Sequence, residues 1–130
     1  MEQRCFISNE DGASSAEFAL VVVPFVSIFM AVLGFSVMLW TSAALRYAVE
    51  DAARCAAVKA TVCSSKATIE NYALSRYEGP ALSPTFNYFQ KNCTGSSSPG
   101  HRVIGEVQFT LNTGLINLSL PLTATACFPS

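Results

Sequence analysis

A long, uncharged and mostly apolar run near the N-terminus constrains this chain more than any other feature. The run covers 23 residues, 18–40, and no charged residue follows it until Arg46. A helix of that length extends about 34 Å, enough to cross the hydrocarbon core of a bilayer, which is about 30 Å thick. Glu17 lies directly before the run. Because an ionisable group beside hydrocarbon is costly unless it is neutralised, Glu17 is a candidate functional residue.

A cleavable secretory signal is the competing interpretation of this run. Such a signal has an apolar core of about 7–15 residues, much shorter than the run observed. Residues 42–44, Ser-Ala-Ala, could act as a weak signal-peptidase site. This alternative stays open and predicts a mature chain that begins near Arg46.

The helix is predicted to continue beyond the apolar run. Residues 44–60 are rich in Ala and contain neither Gly nor Pro, so their helix propensity is high. Apolar and charged side chains separate into two stripes at i, i+3, i+4 spacing. The apolar stripe is Leu45, Ala48, Val49, Ala52 and Ala56, and the charged stripe is Arg46, Glu50 and Arg54. We therefore expect one long helix over residues 13–60 whose small-residue stripe receives a head.

Residues 61–130 are predicted to form a small head, which makes the chain α+β. A turn, a helix stopped by Gly79-Pro80 and three antiparallel strands are expected. Their predicted ranges are 61–65 for the turn, 66–77 for the helix, and 85–91, 101–110 and 118–126 for the strands. The last two strands alternate apolar and polar residues with a period of two. Pro121 cannot donate to a ladder, so the last strand should be an edge strand or be bulged there.

Composition argues against nucleic-acid binding, catalysis and metal binding. Eight basic and nine acidic residues give a net charge of −1, and no basic cluster is present. The sole His, His101, follows a loop rich in Gly, Ser and Pro, so we expect it to be a solvated surface residue. No G-x-S-x-G nucleophile motif and no C-x-x-C zinc spacing occurs. The sequence predicts no catalytic residue, no metal and no cofactor.

The residues around Glu17 resemble a class III, or prepilin-type, signal. The matching residues are Gly12, Ala13, Ser14, Ser15, Ala16, Glu17 and Phe18. More narrowly, the chain resembles the TadE-like minor pilins (pseudopilins) of the Tad/Flp, or tight-adherence, pilus system. Residues 12–25, 50–63 and 122–129 carry this resemblance at the start, middle and end of the chain.

The resemblance implies a processed precursor. A prepilin peptidase would cut between Gly12 and Ala13, so that residues 1–12 form a leader, residues 13–60 the long helix and residues 61–130 the head. Residues 18–40 of the helix would span the membrane. Glu17 would then be the fifth residue of the mature chain, paired with the Ala13 amine of a neighbouring subunit.

The cysteines indicate where the head lies. Of the five, Cys5 would be lost with the leader, and the remaining four predict two disulfides in an oxidising compartment. Three pairings are possible; sequence proximity and the neighbouring strands favour Cys55–Cys63 and Cys93–Cys127.

The implied location is the bacterial inner membrane, crossed once, with the head in the periplasm and incorporation into an extracellular pilus left open. The implied partners are the prepilin peptidase, other TadE/TadF-like minor pilins, the major Flp pilin, inner-membrane platform proteins and membrane lipid. The alternative function is a single-pass, membrane-anchored periplasmic or surface binding module that belongs to no filament.

Overall fold

The computed structural model describes residues 10–91, 93, 99–112 and 117–129, and side chains from residue 15 onward. Most of the expected leader, including Cys5, lies outside the described residues. The chain divides into two compact units, Met1–Phe35 and Ser36–Ser130. We call the second unit the head unit.

Two helices and three strands form an α+β fold, as predicted. The elements are α1 (Glu10–Val58), α2 (Lys66–Arg76), β1 (Thr85–Gln90), β2 (Gly100–Asn112) and β3 (Asn117–Pro129). The long N-terminal helix, the short second helix and the antiparallel strands are all confirmed. β2 and β3 are each longer than the alternation predicted, because they pair continuously from Gly100–Pro129 to Asn112–Asn117.

The start of α2 is set by a capping box. The Ser65 side chain accepts a hydrogen bond from the Thr68 backbone N–H at 3.3 Å. The Thr68 hydroxyl in turn accepts from the Ser65 N–H at 2.9 Å. These two bonds satisfy donors that a helix start otherwise leaves free. At the other end Tyr77 is extended and serves as the C-cap, so α2 is one residue shorter than predicted.

The sheet has the order β1-β2-β3, which leaves β1 and β3 as its edges. Pro121 lies in the edge strand β3 opposite Gln108, and the register runs through it without a bulge. This arrangement is the edge placement that the missing N–H requires. The outer edge of β1 is partly covered, because the Tyr88 N–H donates to Glu70 Oε1 of α2 at 3.0 Å.

The core of the head unit lies between α1 and the sheet. All five residues of the apolar stripe on α1 are buried, whereas the three charged residues beside it are exposed. The sheet contributes Phe86, Val103, Val107 and Ala124. Gly105 permits the close approach, since a Cβ there would lie 2.9 Å from side-chain atoms of both Leu45 and Val49. The absent side chain thus lets the helix pack directly on the middle strand.

The apolar face of β3 is less buried than its alternation suggests. Ala124 is buried, but Leu118 is 46% exposed. Leu118 pairs with Leu111 near the end of the β2–β3 hairpin. That end lies beyond Val107, the last β2 residue of the core cluster.

Two disulfides stabilise the head unit. Cys55, on α1, is bonded to Cys63 with their Cα atoms 5.9 Å apart; we call this the helix disulfide. Cys93, before β2, is bonded to Cys127 on β3 with a Cα separation of 5.7 Å; we call this the strand disulfide. These are the pairs that the sequence analysis favoured.

Candidate functional site

The apolar segment of α1 is uncovered in the first unit. Phe18 is 70% exposed and Leu20 is 76% exposed, and large apolar side chains remain exposed as far as Phe35. A helix that is apolar on all sides is stable only where protein or lipid surrounds it. Within the described residues, α1 is the one helix long and apolar enough to cross a membrane. The segment is therefore compatible with membrane anchoring.

Two hydroxyl groups of α1 donate to backbone carbonyls of the same helix. The Ser27 hydroxyl donates to the Val23 carbonyl at 2.8 Å. The fully buried Thr41 hydroxyl donates to the Val37 carbonyl, also at 2.8 Å. Such back-bonding pairs these two hydroxyl groups without a partner outside the helix. Pro24 removes one backbone donor, but α1 continues through it.

Glu17 is an exposed residue of α1 at the start of this apolar segment. No described side chain forms an ion pair with it. Gly12 and Ala13 belong to the same helix by their backbone. Residues four apart lie on the same helix face, so Ala13 and Glu17 are neighbours along α1. Phe18 is the first large exposed side chain after the carboxylate.

A second group of polar residues links α2 to α1, and no sequence pattern predicted it. The Tyr72 hydroxyl donates to Asp51 Oδ2 at 3.0 Å. Arg76 Nε lies 3.0 Å from the same oxygen, and Arg76 Nη2 donates to the Tyr72 hydroxyl at 3.0 Å. The hydrogen bond to Tyr72 and the nearby negative charge raise the pKa of Arg76 above its ordinary value. These contacts orient the guanidinium group on the head unit.

His101 differs from its prediction. It is half-buried, and its Nδ1 lies 2.6 Å from the Tyr88 hydroxyl, with the two rings stacked at a centroid distance of 5.9 Å. The expectation of a solvated surface His was therefore wrong. The reason is that His101 belongs to β2 and lies on the same face as the buried Val103. Burial raises the pKa of Tyr88 above its ordinary value.

The described ranges contain no group of three or more His, Cys, Asp or Glu side chains that could hold a metal ion. The cysteines described are all in disulfides. What the structure presents instead is an exposed apolar helix segment with an acid at its start, and a head unit whose polar contacts hold its own elements together.

Comparison with curated proteins finds no match, and neither does comparison with solved structures. A family model described as TadE-like protein matches residues 12–54. The match runs from Gly12 through Glu17 and the apolar segment to Arg54, and it ends before α2 and the sheet. The match indicates involvement in a Tad pilus system. The TadE-like family is not known for enzymatic activity. Over this segment the chain matches the TadE-like family of Tad pilus systems.

Proposed function

We propose that this chain is a minor pilin, or pseudopilin, that is made as a membrane precursor, cleaved between Gly12 and Ala13 by a prepilin peptidase, and used to initiate or assemble a Tad/Flp pilus. One observation carries the proposal. Glu17 is the acid that directly precedes the exposed apolar segment of α1, and it lies within the residues that match the TadE-like family.

Cleavage supplies the group that Glu17 lacks. Cutting after Gly12 creates an ammonium group on Ala13, which can neutralise a carboxylate. In a medium of low dielectric constant, opposite charges in contact offset much of each other's desolvation cost. A neighbouring subunit's amine is the proposed partner, because only a contact between chains fixes the axial register of one helix against the next.

The remaining assignments follow from this role. The helix over residues 18–40 crosses the inner membrane once, and the head lies in the periplasm, where disulfides persist. The partners are the prepilin peptidase, a second TadE/TadF-like minor pilin, the major Flp pilin and the platform proteins. Helix contacts within the bilayer are favoured where small residues such as Gly34 and Ser36 permit close approach.

The test separates processing from assembly. Mass spectrometry of the protein isolated from cells should give a mature chain that starts at Ala13. Glu17→Gln should be cleaved normally but should lower the yield of assembled pili, because it removes the charge and keeps the shape. Glu50→Gln, an exposed acid on the same helix, is the matched control and should assemble normally. Normal pili from Glu17→Gln would rule out the ion-pair role.

The membrane-anchored binding module remains the second candidate. It is favoured by the head unit, since α2 and the sheet lie outside the residues that match the family. This function predicts an intact Met1 on the isolated protein and no pilus defect when the gene is deleted. A start near Arg46 would instead indicate secretion.

A further inference from the structure

A groove of about 340 Å³ lies beside α1 just after the apolar run. Two small residues, two aromatic residues and two residues of opposite charge line it. They are Ala43, Ala44, Trp40, Tyr47, Arg76 and Glu78. We propose that this groove, the interfacial groove, binds the headgroup of a phospholipid that carries both a phosphate and a primary ammonium group, phosphatidylethanolamine. The inference rests on the proposed insertion of α1 in a bilayer, and not on cleavage or pilus assembly.

The position of the groove along α1 matches the headgroup layer. Trp40 ends the apolar run, and Ala43 and Ala44 follow three and four residues later. At about 1.5 Å per residue they lie ~4.5–6 Å further along the helix. The polar layer on each side of a bilayer is roughly 5–7 Å thick, half the difference between the full and the hydrocarbon thickness. A lipid beside Trp40 would therefore present its headgroup at the groove.

The charges of the groove select the kind of headgroup. Arg76 is held by Asp51 and Tyr72 through Nε and Nη2. Among described residues, Nη1 has no hydrogen-bond partner, so it can donate to a phosphate oxygen. Glu78 is exposed, and no described side chain pairs with it. Its carboxylate is therefore available to an ammonium group.

The local charge balance disfavours an anionic lipid. Asp51 already offsets Arg76, so the uncompensated charge at the groove is the negative charge of Glu78. A lipid with a net negative charge would meet a like charge there. A lipid with a phosphate and an ammonium places one charge against each side chain, and opposite charges in contact favour binding at a partly desolvated surface.

The two aromatic walls are suited to the same layer. Trp40 is 56% exposed and Tyr47 is 58% exposed. Trp and Tyr favour the boundary between hydrocarbon and water, where an apolar ring and a polar group can both be satisfied. Ala43 and Ala44 also line the groove, and their short side chains leave room for the headgroup.

The test uses the full chain in nanodiscs that contain equal amounts of phosphatidylethanolamine, phosphatidylglycerol and phosphatidylcholine. Lipids retained after release of the protein are counted by native mass spectrometry. We expect phosphatidylethanolamine to be retained about three- to fivefold above its bulk share, the effect of one exposed ion pair. Glu78→Gln should abolish this preference, and Glu106→Gln, an exposed acid on β2, should keep it.

Retention in the bulk ratio, a preference for phosphatidylglycerol, or an unchanged preference in Glu78→Gln would each overturn the proposal. Equal retention of phosphatidylcholine and phosphatidylethanolamine would also overturn it, because a quaternary ammonium cannot donate a hydrogen bond to Glu78. Equal melting temperatures for the two variants show that both are folded. These readouts are independent of the mature N-terminus and of pilus yield, so the lipid site and the minor-pilin role can fail separately.

Discussion

Gly105→Ala tests whether the absence of a side chain at the middle strand is what lets the sheet and α1 pack together. A Cβ at this position would lie 2.9 Å from Leu45 Cδ1, Phe86 Cε1 and Val49 Cγ1. The Leu45 and Val49 side chains are 1% exposed, and Phe86 is also buried. None of the three can withdraw without disturbing the packing of another, so the added methyl group overpacks the core.

Two opposing terms set the magnitude. Overpacking a well-packed core costs about 1–3 kcal/mol. Replacing Gly by Ala also restricts the unfolded chain, which stabilises the folded state by about 0.4–1 kcal/mol. The net expectation is a loss of about 0.5–2 kcal/mol in the free energy of unfolding. For a domain of 60–100 residues each kcal/mol lowers the melting temperature by about 4–8 °C.

The assay is thermal unfolding of the full chain in detergent micelles, followed by near-ultraviolet circular dichroism under non-reducing conditions. Glu106→Ala is the matched control, because Glu106 is next to Gly105 in β2 but its side chain lies on the opposite, exposed face. It should change stability by no more than about 0.5 kcal/mol. The double variant Gly105→Ala/Val49→Ala should lose less stability than the sum of the losses of the two single variants. The reason is that the Val49 side chain no longer contacts the new methyl group. A melting temperature for Gly105→Ala equal to or above that of the unsubstituted chain would refute the reasoning.

Three further predictions concern the head unit. Replacing both cysteines of the strand disulfide with Ser should cost about 4 kcal/mol of stability, against about 2.5 kcal/mol for the helix disulfide. The difference arises from loop entropy, since the sequence separations are 34 and 8 residues. Equal losses measured by calorimetry would contradict this. Tyr77→Phe should leave stability unchanged or raise it, because the buried Tyr77 hydroxyl has no hydrogen-bond partner among described residues. Tyr88→Phe should lower stability by about 0.5–1.5 kcal/mol, because it removes the hydrogen bond to His101. Denaturant titration of both variants tests this difference. Burial raises the pKa of Tyr77 and Tyr88 above their values in the unfolded chain. Stability is therefore retained below about pH 10 and falls as the pH rises through the raised pKa values. Absorbance titration should show these two tyrosines ionising after the others, and ionisation of all tyrosines together near pH 10 would count against the prediction.

The long helix and the strands could be predicted because each rests on a local pattern. The stripe from Leu45 to Ala56 repeats at helical spacing, and the alternation in β2 distinguishes its buried face from its exposed face. Helix and strand ends were less accurate, since a cap such as Tyr77 is decided by the turn that follows it. The last residue of the predicted α2, Tyr77, lies outside the helix for that reason.

The contacts between elements could not be predicted, because they join residues far apart in sequence. Asp51 and Tyr72 are 21 residues apart, and no local pattern pairs them. His101 was misjudged because the neighbouring loop suggested exposure, while its place in β2 put it against Tyr88. Glu17 could be proposed from sequence because the pattern that points to it, one acid beside a long uncharged run, is itself local. Its partner lies on no described side chain and stays a prediction.

The prolines of β3 have a consequence for how heads can associate. Pro121 and Pro129 lie on the edge strand β3, opposite Gln108 and Gly100 of β2. The other edge strand, β1, is the one that Glu70 of α2 contacts. A strand from another copy that tried to extend the sheet would find no N–H at either position, and an edge interrupted in this way resists cross-β aggregation. Proteins concentrated in two dimensions on a membrane are exposed to that hazard. Because the exposed edge of β3 cannot form a continuous hydrogen-bond ladder with another strand, many copies can lie close together while their sheets remain separate.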